Sequence, residues 1–176
     1  MRYFMGIDVG TNETKAVLIN EKCEIVAFAS RGHGLLNPQP GFFEHDAEKT
    51  WWGDFCHLSR QLLAESRVDS KDVGCVGLSA LGCDCVPVDA EGTALCNAIL
   101  YGVDSRSHKE IAWLYEYYGK EEAERLYGHE LCSSDIAPKI LWVKNNLPEV
   151  YEKTAKFLTG SSYLCAKLTG KFTIDR

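Results

Sequence analysis

The sequence predicts an α/β fold in which a mixed sheet is flanked by helices. Three observations point there. Residues 2–30 alternate apolar and polar positions in three short runs separated by turn residues, the period of strands. Residues 46–66 then carry Trp51, Trp52, Phe55, Leu58, Leu62 and Leu63 at helical spacing behind Asp46, a good N-cap. After two more strand-like segments, the pattern turns helical from about residue 107. Strands first, then a helix, then strands and helices together, is the order of a sheet with helical cover.

The elements follow in order. Residues 2–9 are apolar and end at Gly10, which reads as a buried strand. Ala16-Val17-Leu18-Ile19 is a second strand, closed by the turn Asn20-Glu21-Lys22. Residues 23–30 are a third, with Ile25, Ala27 and Ala29 on one side and Glu24, Val26 and Phe28 on the other. Short turns make these three an antiparallel meander. Residues 32–41 hold glycines and prolines and form a loop. Residues 73–79 read as a buried strand, Cys85-Val86-Pro87-Val88 as the next, and Ala98-Ile99-Leu100-Tyr101 as a short extended piece leading to Asp104. Ile111, Leu114, Tyr115 and Tyr118 share a helix face. Shorter helices are expected over 121–126 and 138–146, a further one opens at Pro148, and another runs over 161–168 until Gly170 stops it. This order fits a ribonuclease-H-like fold.

Composition excludes several classes. The 176 residues suit one domain, and the formal net charge is -6. Nucleic acid and anionic membranes both call for a basic face, so neither is expected as a partner. No apolar run reaches the ~20 residues of a membrane-spanning helix. Eight cysteines without a signal peptide read as small apolar residues of a reduced, cytoplasmic protein. Cys83-Asp84-Cys85 lacks the spacing of a zinc knuckle. The five histidines are scattered, which places them on the surface or in helices rather than around a metal.

The first chemical signal is Gly6-Ile7-Asp8-Val9-Gly10-Thr11-Asn12-Glu13-Thr14-Lys15. A buried strand delivers a carboxylate and then turns through glycine. Gly10 lets backbone N–H groups approach a phosphate. Thr11, Asn12 and Thr14 are small polar donors, and Lys15 is a cation. Asp8 repels phosphate but can hold Mg²⁺, directly or through water. A plain hairpin with a glycine turn fits the same spacing.

This run resembles the D-x-G-T-x-x-x-K/R phosphate motif of the FGGY carbohydrate kinases, within the superfamily of hexokinases, actins and heat-shock chaperone ATPases. Gly41-Phe42-Phe43-Glu44-His45-Asp46 with Trp51-Trp52 is similar to the family's P-G-W-x-E-Q/H-D and the tryptophan-bearing helix that follows. Val76-Gly77-Leu78-Ser79 resembles the strand entering its sugar site. Ala98-Ile99-Leu100-Tyr101-Gly102-Val103-Asp104-Ser105-Arg106 resembles P-A-I-L-W-x-D-x-R. Pro138-Lys139-Ile140-Leu141-Trp142 resembles P-K-L-L-W, and residues 161–170 resemble D-Y-L-x-x-x-L-T-G. The resemblance covers the whole chain. It implies ATP and Mg²⁺ as cofactors, a small sugar or polyol as acceptor, and a sugar wall including Gly82, Cys83, Asp84, Tyr101, Asp104 and Arg106. A homodimer is compatible with it.

Departures qualify it. Xylulokinases carry Q-M-H-G where this chain has Leu81-Gly82-Cys83-Asp84, so Asp84 either bonds sugar hydroxyls or faces solvent. Tyr101 replaces a tryptophan. Asp104 suits a sugar site and equally an N-cap for the next helix. Glu13 must point away from a nucleotide. Family members are much longer, with the general base and the second, nucleotide lobe C-terminal to the region matched. The expectation is therefore an N-terminal domain over residues 1–176, ending at Asp175-Arg176 where the family continues, and unable to catalyse transfer alone. Two other readings are a non-catalytic binding or regulatory module of the same fold, and an ATPase activator serving an iron–sulfur cluster. The second calls for cluster-spaced cysteines, which are not found.

Overall fold

In a computed structural model that describes residues 1–174, the chain builds one four-stranded sheet and a helical layer. The Asp175–Arg176 end lies outside the described residues. Strands β1 (Tyr3–Val9), β2 (Glu13–Asn20) and β3 (Ile25–Gly32) form the antiparallel meander. Strand β4 (Glu44–His45) is a short bridge. A wide π-helical turn, Ala47–Trp52, leads into α1 (Gly53–Ser66). Strand β5 (Val73–Ala80) then joins β1 in parallel, giving the order β3-β2-β1-β5.

The period-two pattern sorts side chains between the two faces of this sheet. Met5, Ile7, Val9, Thr14, Ala16, Leu18 and Ala29 are buried on one face, with Trp51, Phe55, Leu58 and Leu62 among the core residues beside them. Asp46 caps the turn by accepting from the Lys49 N–H at 2.9 Å. Thus the expected helix over 46–66 is present, with its first turn widened.

The third strand starts at Ile25, two residues later than the sequence pattern places it. The Asn20 side chain accepts from the N–H groups of Lys22 and Glu24, and Cys23 has a positive φ of 61°. That folds residues 20–24 into the turn, with a register shift at Leu18/Ile19. The 73–79 segment is a strand as expected but is not buried. Its Cys75, Gly77 and Ser79 pair with Phe4, Gly6 and Asp8 on the second face of the sheet. This face leaves Phe4, Val26 and Phe28 exposed.

Two small pairings extend the structure. Strand β6 (Val86–Val88) pairs with β8 (Lys156–Leu158), and β4 pairs with β7 (Ala98–Ile99). Helices α2 (His108–Tyr118), α3 (Lys120–Tyr127), α4 (Ile136–Asn146) and α5 (Pro148–Lys153) form a satellite layer. Its centres are Val143 with Cys85 and Ile99, and Leu114 with Ala123 and Leu131. Helix α6 (Gly160–Thr169) packs on β5 and ends at Gly170, whose φ is +68°. Only Cys85 among the eight cysteines is fully buried; Cys23, Cys75, Cys83 and Cys132 are exposed. The reading of the cysteines as small apolar residues thus fits Cys85 but not these four exposed thiols.

Gly160 marks the tightest contact between α6 and β5. A Cβ there would lie 2.9 Å from the Ala80 Cβ and 3.2 Å from Asp84 Oδ2. Ala80 has no freedom to swing aside. Gly160→Ala should therefore destabilise the chain by about 1–3 kcal/mol, the usual scale of overpacking. Thermal denaturation should show a clearly lowered midpoint, and an unchanged midpoint would mean that α6 sits more loosely than described.

Candidate functional site

The β1–β2 turn stands at the end of the sheet. Gly10 N–H donates to the Glu13 carbonyl at 3.0 Å, and a Cβ on Gly10 would come within 3.1 Å of that same oxygen. Glycine is what permits a turn this tight. At the end of β1, Asp8 is exposed, and among the described residues its carboxylate makes no hydrogen bond or ion pair. Its neighbours across the strands are Lys15 and Ser79.

Two carbonyls of the turn are held from below. His33 Nε2 lies 3.0 Å from the Gly10 oxygen, and His45 Nε2 lies 3.1 Å from the Thr11 oxygen. In a trans peptide the next N–H points opposite to the carbonyl, so the N–H groups of Thr11 and Asn12 face away from the histidines. Among the described residues, neither donates to any group of the chain. The turn therefore presents two free N–H groups with an unpaired carboxylate close in sequence.

The support beneath is buried and polar. Asp54, near the start of α1, accepts from the Thr14 hydroxyl at 3.0 Å, contacts His33 Nδ1 at 2.8 Å and lies 3.3 Å from Arg31 Nε. Trp51 Nε1 donates to His45 Nδ1 at 2.9 Å, which leaves Nε2 as the protonated nitrogen toward Thr11. Burial, and then the neighbouring His33 charge, lower His45 to about 4. It is a neutral donor across the ordinary pH range.

Several residues read from the sequence sit differently here. Thr14 shares the buried face with Ala16 and Leu18, so its hydroxyl serves Asp54 rather than the mouth of the turn. Lys15 Nζ lies 3.1 Å from Glu13 Oε1, so each partly neutralises the other at the surface. His33 and His45 are buried beneath the turn, not on the surface. No local periodicity could have placed them under the turn, because the contacts that do so, with Asp54, Gly10 and Thr11, span 21 to 34 residues of sequence.

The second group of expected residues lies around β6 and β7. Asp104 is buried, and both of its oxygens are engaged by Arg106, with Oδ2 also accepting from the Phe43 N–H at 2.7 Å. Arg106 is sandwiched between the rings of Phe42 and Trp142, at 4.2 and 4.8 Å, and reaches Glu44 at 2.9 Å. This cluster clamps the 36–44 loop onto the 98–106 segment. Asp84 faces inward rather than toward solvent. Its Oδ1 accepts from the Tyr101 N–H at 2.8 Å, while Oδ2 has no partner. Lys139, fully buried, donates to the Cys83 carbonyl at 2.7 Å and so braces the 81–84 run. Gly82, Cys83 and Tyr101 remain exposed together, with the Tyr101 ring about one van der Waals contact from Gly82.

A concavity of about 350 Å³ opens on the uncovered sheet face, lined by Gly6, Asp8, Lys15, Phe28, Gly77 and Ser79 among others. Gly6 and Gly77 are register partners, so these two positions add no side chain to its floor. Asp8 and Lys15 set a charged rim.

A β-meander joined to a parallel strand, with a glycine turn offering free N–H groups just after a strand-end carboxylate, is the arrangement of a domain of the actin/hexokinase-like fold. Residues 3–176 match the family model described as the N-terminal domain of the FGGY family of carbohydrate kinases, and the chain belongs to that family. It is 29% identical over 170 residues to a xylulose kinase of Bacillus subtilis (strain 168), covering 97% of this chain and 34% of the relative. It is also 29% identical over 180 residues to an autoinducer-2 kinase of Klebsiella pneumoniae, covering 99% of this chain and 33% of that protein. The crystal structure of xylulose kinase from Rhodospirillum rubrum superposes with a TM-score of 0.89 at 26% identity, over 99% of this chain and 35% of that one. The chain thus spans about a third of the length of the curated relatives it matches. Among the described residues no helix is long and apolar enough to cross a membrane.

Burial pushes the Asp84 carboxyl up from 3.8 to about 7, against the opposing pull of the Tyr101 N–H and the Lys139 charge. A carboxyl raised in the fold contributes stability in its protonated form. That contribution is complete below about 4 and is lost as pH rises through about 7. Asp84→Asn keeps an oxygen for the Tyr101 N–H and cannot ionise. Relative to the parent it should gain on the order of 2–4 kcal/mol between pH 5 and pH 8. Denaturant unfolding at the two pH values measures this, and parallel pH profiles would show that Asp84 is not the group responsible.

Proposed function

We propose that this chain is the N-terminal domain of an ATP-dependent kinase acting on a small sugar or polyol, with a ketopentose such as xylulose as the favoured class. One observation carries the reading: the N–H groups of Thr11 and Asn12 are free in the turn that directly follows Asp8, whose carboxylate is unpaired. Backbone donors in a tight turn suit phosphate oxygens. A carboxylate with no partner in the chain suits a hard cation. Asp8 would hold Mg²⁺, which when bound helps neutralise charge on the transferring phosphates. Among the described residues no group of three His, Cys, Asp or Glu side chains is set to hold a metal. A single carboxylate completed by nucleotide phosphates and water is the usual arrangement for Mg²⁺.

Within that reading the residues divide by position. Thr11 and Asn12 orient phosphate through backbone donors, on the tight turn that Gly10 permits. Thr14 acts from beneath by fixing Asp54, and Lys15 contributes charge at the rim. Gly82, Cys83 and Tyr101 form the open part of the sugar wall. Asp84, Asp104 and Arg106 hold that wall in place. A general base and the adenosine site would come from a second lobe of a longer chain, and phosphoryl transfer would then rest on positioning and electrostatic stabilisation. The xylulose and autoinducer-2 kinases among its relatives support a sugar-like acceptor. Eight free thiols suit a cytoplasmic enzyme.

Asp8→Ala in the complete kinase tests this. Turnover should fall at least ~100-fold, the scale of losing one preorganised electrostatic partner, with sugar affinity nearly unchanged. A folded variant with near-normal turnover would remove Asp8 from the mechanism and return the turn to a plain hairpin.

A further inference from the structure

The ring of His33 is caught between two acceptors. Nε2 meets the Gly10 carbonyl at 3.0 Å, and Nδ1 meets Asp54 Oδ2 at 2.8 Å. A neutral imidazole has one N–H and one bare nitrogen, so it satisfies only one of these contacts. The proton that completes the pair belongs either to His33 or to Asp54. Every other group around Asp54 is a donor: the Thr14 hydroxyl from β2 on Oδ2, and Arg31 from β3 at 3.3 Å from Oδ1. Such a setting favours the carboxylate, and therefore an imidazolium at His33.

Its neighbour has the opposite state. His45, from β4, has Nδ1 occupied by the Trp51 N–H and Nε2 on Thr11, which one proton satisfies. The two rings meet edge-on at 4.9 Å, where two positive charges would repel. The groups facing His33 are thus Asp54, His45 and the Gly10 carbonyl, with Arg31 and Thr14 on Asp54 behind it.

We propose that His33 is a positioning residue for the phosphate turn, held as an imidazolium so that one ring bonds both Asp54 and the Gly10 carbonyl and thereby keeps the Thr11 N–H turned outward. His33 touches no substrate in this account; it acts through the Gly10–Thr11 peptide. The proposal deepens the kinase reading and rests on it for its purpose, but not for its test.

The test is imidazole ¹⁵N spectroscopy of this 176-residue chain. At pH 7 the expected spectrum has both His33 nitrogens protonated and a bare Nδ1 on His45. In Asp54→Asn the carboxamide can offer an N–H, so His33 should become singly protonated. In His33→Gln the Gly10 and Thr11 amide resonances should move from their parent positions. A singly protonated His33 at pH 7 in the parent chain would overturn the proposal. So would a doubly protonated ring in Asp54→Asn, or Gly10 and Thr11 amides left at their parent positions in His33→Gln. Should His33→Gln fail to fold, the parent spectrum and Asp54→Asn decide between the two. No nucleotide enters these spectra, so failure of the kinase reading would leave every one of these outcomes unchanged.

Discussion

The Asp54 carboxylate sits where the start of α1 meets the hairpin, almost wholly out of water, and a buried carboxylate is costly unless donors surround it. Thr14 supplies one from β2, while Arg31 and His33 supply others from the end of β3. Satisfying that one group sets three relationships. Helix α1 must sit over β2 and β3. The β3 end must curl back toward the β1–β2 turn, which the His33 N–H to Asn12 carbonyl bond at 2.8 Å completes. The turn must then offer its Gly10 and Thr11 carbonyls inward. The free N–H groups at the turn follow from the planarity of the peptide.

The sheet serves two purposes with its two faces. One face carries the core, from Met5 to Leu18, and gives the turn a rigid base. The opposite face places Asp8, Lys15 and Ser79 in one row across β2, β1 and β5. Its paired glycines, Gly6 and Gly77, keep that row open to a ligand-sized concavity. At the other end of the molecule the Asp104–Arg106 pair does comparable work, with its donors and acceptors matched and its guanidinium between two rings. A buried pair with every contact satisfied holds a loop in one place more surely than apolar packing alone.

Much of this was legible in the sequence. The meander, the capped helix, the Pro148 and Gly170 boundaries and the glycine turn after Asp8 are local patterns, governed by strand period, capping and backbone freedom. What could not be read was which polar side chains turn inward. His33 follows a glycine in a loop, and nothing near it in sequence announces Asp54 or Gly10 as partners. Asp104 and Asp84 have the residue type of ligand-binding groups, yet Arg106 and Phe43 occupy the Asp104 carboxylate, and Asp84 is turned inward with one oxygen on the Tyr101 N–H and the other without a partner. Thr14 shows the same limit at closer range. Its place in a phosphate motif suggests an outward hydroxyl, while the strand period assigns it to the core side.

The central claim is that phosphate is held by the Thr11 and Asn12 N–H groups, with the accompanying cation at Asp8. A crystal structure of the complete kinase with ADP and Mg²⁺ tests it most directly. Phosphate oxygens should lie within about 3 Å of those two nitrogens, with Mg²⁺ reached by Asp8 directly or through one water. Phosphates seated elsewhere, for instance in the groove between Arg31 and Arg60 beside α1, with the Gly10–Asn12 turn empty, would contradict the account.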